Sequence, residues 1–539
     1  MRTGSADSRL KLIRALALIL AGALPSPGLA AEPHVLRFTE TLDVTTLSPF
    51  YTTSAVILDL SSLTMAHFVR FDARGRMVPE LIVAIPSQQN GGVSSDGRTV
   101  TYHLRRGVKW SDGAPFDADD VAYTLRFIAD KTNTISDHEA WDHLRGFDEP
   151  DKSTIVLHLD APFAPFAERF FSSASQSCVL PQHLLAGGTN LNQSPYNALP
   201  VGIGPFRYTA FRRGDAVEME ANPYYFGARP KLQKIVYKIV EDENTAFTQL
   251  QTGELDLWAQ LSASFYDRVR ALPSVNVTLV PSQFMSGIFF ETEHPALRDP
   301  VVRRALRLAA DRNLFFEKIF HQVGVMSESV VSPSSLDHLA LTPTPYDPAA
   351  ANRLLDSAGW ARGPDGVRAK GGVRLSLELV LPDGYPPSAQ LSELLRVEWQ
   401  KIGVEIDTKQ FTSGQYFGLY SAGGILRTGK FDVALLSLGS GVFADVFNGY
   451  GCAYAPPNGN DFTHYCNRAV DADMSTYEQT YDAGKRAALA ARFQRRIQED
   501  APVIVIYARS FPYAYSSRVT GLHPQTFGTF DGIASADVQ

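Results

Sequence analysis

Four carboxylates crowd one short stretch of the chain, YHLRRGVKWSDGAPFDADDVAYTL at residues 102–125: Asp112, Asp117, Asp119 and Asp120. Carboxylates at such spacing can bind calcium or act as an acid and base pair. The D-x-D-x-D-G-x5-E spacing of a calcium loop is absent, however. Asp112-Gly113 is typical of a tight turn. Asp117 stands where a helix would begin, and the two aspartates after it would face free N–H groups in the first turn. We therefore interpret the cluster as a turn and a helix start in preference to a metal site.

Other motifs with catalytic potential are incomplete. In HEAWDH, residues 138–143, His138 and His143 are five positions apart, whereas a zinc-protease helix needs two histidines four apart on one face. In VGIGPF, residues 201–206, Pro205 follows the G-x-G and no third glycine comes, which disfavours a dinucleotide site. We find neither a G-x-S-x-G elbow nor a phosphate-binding loop. The sequence therefore predicts no catalytic residues, no metal and no cofactor, and a secreted hydrolase is the weaker alternative.

The first thirty-one residues differ in kind from the rest. An apolar run at 15–24 follows four basic residues: Arg2, Arg9, Lys11 and Arg14. The run is too short to cross ~30 Å of hydrocarbon, and small residues follow it, as in a secretory signal peptide. We expect residues 1–31 to be this signal peptide, with cleavage after Ala30 or Ala31. With no cysteine near that point for lipid attachment and no later apolar span, the mature protein is expected to be soluble and exported.

Charge and cysteine content limit the partners and the cysteine chemistry that the protein can have. The formal charge of −7 and the lack of a basic block argue against nucleic acid as a partner. Cys452 and Cys466 enclose a loop rich in Gly, Pro and Asn, and in an oxidising compartment we expect them to be bridged. Cys178 is then the odd cysteine, expected to be buried as a small hydrophobe. Without a C-x-x-C, neither a redox site nor a zinc ribbon is indicated.

Short strands and helices alternate along the 539 residues, a length that suggests two to four lobes. Apolar residues recur with period two at 99–105 and 153–160, which predicts strands. Helical spacing at 302–320 and 391–403 predicts helices, the second ending at Gly403. The alternation indicates α/β lobes.

Several separated segments together resemble a known family. They include SSDGRTVTYHLRRGVKWSDGAPFDADDVAYTL, GIGPFRYTAFRRGDAVEMEANPYYFG, TGELDL, HPALRDPVVRRALRLAADR, YDPAAANRLLDSAGW and QKIGVEID. In this order they resemble the dipeptide, oligopeptide and nickel class (family 5) of solute-binding proteins that serve ABC importers, over about residues 35–510.

The resemblance implies a two-lobed periplasmic binding protein fold (α/β, type II, cluster C-like) with mixed sheets and an extra third α/β domain. Lobe I would be discontinuous, comprising 32–71, 198–288 and 507–539. The extra domain would span 72–197, and the second lobe (lobe III) 289–506. Hinge closure would enclose the ligand between the two lobes.

The resemblance also implies a function and a set of site residues. The protein would capture a peptide or peptide-like solute and deliver it to inner-membrane ABC permease subunits, as a monomer. Asp445 matches the family's anchor for a peptide amino group, although a helix cap is the alternative role. Gly439, Ser440 and Gly441 would offer backbone contacts, or else form a plain turn. Further cleft candidates lie in the 47–55 loop and on the 283–290 strand: Ser48, Tyr51, Met285, Ser286 and Gly287. For Tyr51 and Met285, packing in the core is the alternative role.

Other cargoes fit the same fold and stay open. They are a nickel chelate, an opine, a sugar derivative or haem. A chaperone-like role for unfolded chains is a further alternative, and it would predict broad, weak binding without closure.

Overall fold

The computed structural model describes residues 33–51, 54–72, 74–130, 132–133, 140–175, 177–187, 191, 194–383 and 385–539. The expected signal peptide and His138 lie outside these residues.

The strands are β1 (Val35–Thr39), β2 (Val69–Phe71), β3 (Met77–Pro79), β4 (Thr99–His103), β5 (Leu144–Asp151), β6 (Thr154–Leu159), β7 (Phe206–Arg212), β8 (Ala216–Ala221), β9 (Lys234–Lys238), β10 (Leu257–Trp258), β11 (Val275–Phe290), β12 (Gly324–Met326), β13 (Ala361–Arg362), β14 (Arg368–Lys370), β15 (Val373–Arg374), β16 (Ser376–Pro382), β17 (Glu405–Phe411), β18 (Val433–Gly439), β19 (Val503–Ser516), β20 (Val519–Thr520) and β21 (Asp537–Val538).

The helices are α1 (Ala55–Thr64), α2 (Ala118–Ala129), α3 (Phe166–Arg169), α4 (Gln182–Leu185), α5 (Glu243–Thr252), α6 (Ala263–Arg270), α7 (Pro300–Leu308), α8 (Arg312–Lys318), α9 (Pro348–Ser357), α10 (Pro386–Gln400), α11 (Ser413–Tyr416), α12 (Phe447–Tyr450), α13 (Arg468–Glu478) and α14 (Ala483–Asp500). In the described part of the chain, no helix combines the length and the apolar character that a membrane crossing requires.

One 11-stranded sheet runs through the molecule in the order β17-β16-β18-β11-β19-β10-β1-β9-β8-β7, with β12 added beside β19. The long strands β11 and β19 pair antiparallel from Val275–Ser516 to Phe289–Val503, through two register shifts. On one side of them β16 lies parallel to both β17 and β18, and on the other β1 lies parallel to β9 and β10. The pair β11/β19 therefore joins two α/β halves.

Alternation along β11 divides the core of the second half into two layers. Ile288 and Phe290 pack on one face of the sheet, whereas Met285 and Phe289 pack on the other. Successive side chains of a strand point to opposite faces, so adjacent residues of β11 pack in different core layers.

The carboxylate-rich stretch forms a turn and a helix start, as its sequence predicts. Asp117 is the N-cap of α2 and accepts a hydrogen bond from the Asp119 N–H at 2.9 Å. Asp120 is 4% exposed. Its carboxylate accepts from the Trp110 indole N–H at 3.0 Å, from the Gln182 N–H at 2.8 Å and from the Asp117 N–H at 3.3 Å. The group fastens α2 to two neighbouring segments.

The prediction of a single helix at 302–320 is wrong. The chain forms α7 and α8 there, separated at Ala309–Asp311. Asp311 caps α8 by accepting from the Leu314 N–H at 3.0 Å. The apolar spacing continues across the break because both helices bury the same side, so periodicity alone could not show that an aspartate opens a second helix.

Candidate functional site

A cavity of about 450 Å³ opens at the carboxyl ends of the parallel strands β16, β17 and β18. Ligands of open α/β sheets bind in crevices at this edge, and the volume lies within the usual range for small-molecule sites. Its wall combines aromatic rings, hydroxyls and one charge of each sign: Phe284, Phe320, Tyr385, Phe417, Ser286, Ser388, Ser413, Ser437, Asp383 and Arg509.

Three of the four aromatic rings in the cavity wall are exposed to solvent, whereas Phe320 is buried. Phe284, Tyr385 and Phe417 are 36%, 42% and 54% exposed. Large apolar side chains clustered at an opening are typical of binding surfaces. The cavity is thus suited to a solute with both apolar and hydrogen-bonding parts.

The floor of the cavity is formed where β11 and β18 pair. The Ser286 and Ser437 hydroxyls lie 2.7 Å apart. Gly287 lies beside them, and a Cβ added there would stand 2.7 Å from the Ile504 carbonyl oxygen. The glycine therefore permits the close approach of β19, while the two hydroxyls face the cavity.

The structure places the predicted residues of β11 on different sides of the sheet. Ser286 and Gly287 line the cavity. Met285 is 3% exposed and packs in the opposite layer. Strand alternation accounts for the separation.

The residues after β18 form a loop at 440–446, which we call the 440–446 loop. Ser440 is 2% exposed. Its hydroxyl accepts from the Ser332 N–H at 2.8 Å, and its N–H donates to the Gln283 carbonyl at 3.1 Å. The Gly441 carbonyl accepts from the Ser335 hydroxyl at 2.6 Å. The loop is therefore held by hydrogen bonds within the 289–506 segment and to β11.

Asp445, the predicted amino anchor, lies in this loop beside a cation of the 72–197 segment. Its Oδ2 is 3.5 Å from Nη1 of Arg169, and its Oδ1 accepts from the Phe447 N–H at 3.3 Å, at the start of α12. Its side chain is 12% exposed. An ammonium group of a solute would meet this carboxylate in competition with the guanidinium.

Ser48 and Tyr51 lie away from the cavity, against the 72–197 segment. Ser48 is 2% exposed, and the neighbouring Leu47 N–H donates to the Asn197 carbonyl at 3.2 Å. The Phe50 ring contacts that of Phe127 at 5.5 Å between centroids. Burial raises the pKa of Tyr51 to about 12, so both residues pack at this contact.

Glu168 is a residue that sequence reasoning missed. It lies in α3 and is 6% exposed. Its Oε1 accepts from the Val442 N–H at 2.7 Å and its Oε2 from the Phe443 N–H at 3.1 Å. Burial raises the pKa of this carboxyl to about 7, although the two N–H groups and Arg169 oppose the shift. Nothing near residue 168 in the sequence points to partners so distant along the chain.

Two acidic side chains are buried together at the end of β1. Glu40 and Asp59 are 3% and 5% exposed, and Gln260 Nε2 donates to Asp59 Oδ2 at 3.1 Å. Burial raises the pKa of both carboxyls, and the neighbouring Asp59 carboxyl raises the pKa of Glu40 further. Two buried carboxyls so close together disfavour simultaneous ionisation of both groups.

Glu291, Glu293 and His464 bring ligand atoms within 4.8 Å of one another, a spacing that a metal ion could use. His464 Nδ1 already lies 2.5 Å from Glu291 Oε2, and this carboxylate raises the pKa of the imidazole. An ion pair thus accounts for the arrangement.

The structure joins Cys452 to Cys466 in a disulfide. Cys178 is buried, and burial raises the pKa of its thiol to about 12. A thiol in that state is unreactive at neutral pH.

Comparisons with known proteins place the chain beside transport proteins. Residues 77–461 match the family model described as bacterial extracellular solute-binding proteins, family 5 middle. The sequence is 31% identical over 464 residues to Protein XP55 of Streptomyces lividans, covering 84% of this chain and 79% of that protein. It is 27% identical over 449 residues to the glutathione-binding protein GsiB of Salmonella choleraesuis, covering 81% and 83% respectively.

A solved structure shares the fold. The crystal structure of NikZ from Campylobacter jejuni in complex with Ni(L-His) superposes with a TM-score of 0.78 at 23% identity, covering 94% of this chain and 100% of that one. The likeness confirms the predicted α/β fold of the two-lobed periplasmic binding proteins.

Proposed function

The chain belongs to family 5 of the bacterial extracellular solute-binding proteins, and from this premise we propose that it captures a peptide or peptide-like solute in the periplasm for an ABC importer. The observation that carries the proposal is the cavity at the carboxyl ends of β16, β17 and β18, where hydroxyls, aromatic rings and opposite charges converge. GsiB, a relative at 27% identity, is by its name a glutathione-binding protein, and this supports a peptide-like cargo.

The chemistry of the cavity suits a short peptide. Asp383 and Arg509 carry the opposite charges that the two ends of a zwitterion require, and the Ser286 and Ser437 hydroxyls can bond to peptide groups. The exposed rings of Tyr385 and Phe417 can cover apolar side chains. Binding by main-chain groups and roomy pockets makes affinity depend weakly on the solute's side chains.

The proposal includes movement of two lobes. Lobe I would comprise 32–71, 198–288 and 507–539, with 72–197 as the extra domain, and lobe III would span 289–506. The crossing strands β11 and β19 would contain the hinge, because they connect the two halves of the large sheet. Asp445 and the exposed Gly439 would meet the solute from lobe III on closure. The buried Ser440 donates its N–H to Gln283, and Gly441 packs against Glu168, so these two residues would support the contact from behind.

The N-terminal proposal has its own test. Removal of residues 1–31 in the periplasm would leave a mature chain starting at Ala31 or Glu32. Intact mass of protein purified from the periplasm should match one of these starts. Retention of Arg2 and the following apolar run in the exported protein would contradict it.

The central experiment is native mass spectrometry of the protein purified from the periplasm, followed by titration calorimetry with a di- and tripeptide panel. A bound peptide mass and its displacement by one of the panel are expected. A metal chelate, opine, sugar derivative or haem as the bound mass, with no binding of the panel, would overturn the peptide proposal.

A substitution pair tests the location of the site. Ser437→Trp would fill the floor of the cavity and should weaken binding of a panel peptide by about tenfold or more, equivalent to ~1.4 kcal/mol. Ser376→Trp is the matched control, since Ser376 is exposed at the opposite end of the neighbouring strand β16. Equal affinity of both variants and the parent would remove the cavity from the proposal.

A further inference from the structure

Glu168 connects two segments that the proposed function assigns to different moving bodies. The residue belongs to the 72–197 segment, and its carboxylate receives both N–H groups from Val442 and Phe443 of the 440–446 loop. A carboxylate held by two N–H groups makes two charge-assisted hydrogen bonds, which are stronger than neutral ones. If the two segments separate, the Glu168 carboxylate and the two backbone N–H groups lose these bonds and become hydrated.

The loop is shaped to receive this side chain. A Cβ added at Gly441 would collide with Glu168 Oε1. The backbone of Gly441 is not in the left-handed region, so an alanine would suit the loop itself. A side chain at this position would therefore displace the Glu168 carboxylate from its place against the loop.

Further contacts join the same segments, among them a hydrogen bond from the Ala164 N–H to the Glu478 carbonyl at 2.6 Å. Arg169 lies 3.5 Å from Asp445 across the interface. Tyr481, in the turn between α13 and α14, donates its hydroxyl to the Gly97 carbonyl at 3.0 Å and accepts from the Phe163 N–H at 3.3 Å. The Tyr481 ring also lies 6.2 Å from that of Phe166. The tyrosine contact gives the interface a second fixed point beside Glu168.

We propose that Glu168 is an interlobe latch: it binds the 440–446 loop only when the 72–197 and 289–506 segments are closed, and so sets the balance between open and closed forms in the absence of solute. The inference rests on the proposed lobe movement but not on the identity of the cargo. Gly441 is the matching half of the latch, because only a residue without a side chain leaves room for the carboxylate.

Burial of the Glu168 carboxylate limits how strongly the latch stabilises the closed form. Burial raises the pKa of Glu168 to about 7, which shows that desolvation opposes the ionised form in the closed arrangement. The two N–H bonds offset part of this opposition. A latch balanced in this way can be released, whereas a fully favourable bond would hold the lobes shut.

The test measures an interlobe distance in the full mature chain, dialysed and without added solute. Spin labels on Gln89→Cys and Arg495→Cys, both at exposed positions of the two segments, report the distance by electron–electron double resonance. Glu168→Ala should shift the closed-to-open ratio toward open by about tenfold or more, since it removes two bonds to a charged group. Gly441→Ala should act in the same direction, because its methyl group displaces the carboxylate.

The double variant distinguishes a latch from general damage. In Glu168→Ala/Gly441→Ala the methyl group has nothing left to strike, so the double variant should open no more than Glu168→Ala alone. Asp148→Ala is the control: it removes an exposed carboxylate of β5 that pairs with His158 of β6. This variant should keep the parent's distance distribution.

Two results would overturn the latch. One is a parent-like distance distribution in both single variants. The other is a further opening by Gly441→Ala in the Glu168→Ala background, which would place the collision elsewhere. Near-ultraviolet circular dichroism of each variant verifies the fold, and if Glu168→Ala is misfolded, the Gly441→Ala distribution decides alone. Failure here with normal peptide binding would leave the proposed function standing, so the two are separable.

Discussion

Asp120 offers a sharp test of whether the acidic stretch at 112–120 is structural. Replacing Asp120 by alanine removes the acceptor for three donors: the Trp110 indole, the Gln182 N–H and the Asp117 N–H. The Trp110 side chain is fully buried and Asp120 is 4% exposed, so water cannot easily take the place of the carboxylate. Each buried donor left without a partner costs about 1–3 kcal/mol.

The three losses share one group and are not additive, so we expect Asp120→Ala to destabilise the protein by about 3–5 kcal/mol. Asp119→Ala is the matched control on the next residue. Asp119 pairs with Lys152 at the surface, where the side chains are 37% and 65% exposed, and loss of such a pair costs at most about 1 kcal/mol.

The assay is urea unfolding followed by circular dichroism, with and without calcium and with a chelator. The midpoint of the transition that reports the 72–197 segment should fall strongly for Asp120→Ala and slightly for Asp119→Ala, with no response to calcium. Equal losses for the two variants would refute the assignment of the buried bonds. Stabilisation of the parent by calcium, lost in both variants, would instead restore the metal interpretation.

Three further predictions concern other parts of the chain. Burial raises the pKa of Glu80 to about 7 from its usual 4.5, so the stability that the protonated carboxyl contributes is present below pH 4.5 and is lost as the pH rises to about 7. Glu80→Gln should therefore reduce the difference in the free energy of unfolding by urea between pH 5 and pH 8. An unchanged difference would contradict this prediction. If Asp445 anchors an amino group, Asp445→Ala should weaken a free-amine peptide far more than its N-acetylated form in calorimetry, whereas equal loss for both would exclude that role. Alkylation under denaturing, non-reducing conditions should modify one thiol if Cys452 and Cys466 are bridged, and reduction of this loop should cost about 3 kcal/mol; modification of three thiols would disprove the bridge.

Local chemistry made several elements predictable. Asp117 begins α2 because its side chain caps the helix, a relation between residues two or three positions apart. Period-two alternation placed β4 and β6, and helical spacing with Gly403 placed the end of α10 within a few residues. The helix boundary at Asp311 was missed because the apolar side continues through α7 and α8.

The candidate site was only partly accessible from sequence for a related reason. Ser286 and Gly287 were selected as members of a crossing strand and do line the cavity, but their neighbour Met285 faces the other layer. Choosing between adjacent residues requires the register of β11 against β18, which places Ser286 opposite Ser437. That register depends on residues about 150 positions away and has no local signal.

The contacts of Glu168 lie still further beyond sequence reasoning, since 274 positions separate it from Val442. The 440–446 loop that Glu168 contacts is nevertheless continuous with the strand that forms the cavity floor. Strand β18 carries Ser437 in the cavity floor and ends at Gly439, and the chain then enters the 440–446 loop directly. Ser440 fastens the beginning of this loop to β11 through the Gln283 carbonyl. Only Leu438 and Gly439 lie between Ser437 and Ser440. A displacement of the 440–446 loop by Glu168 would therefore also displace the end of β18, which forms the cavity floor. If a solute rests on Ser437 while the Glu168 carboxylate binds Val442, both would bias the same short length of chain, and capture and closure would be coupled through it.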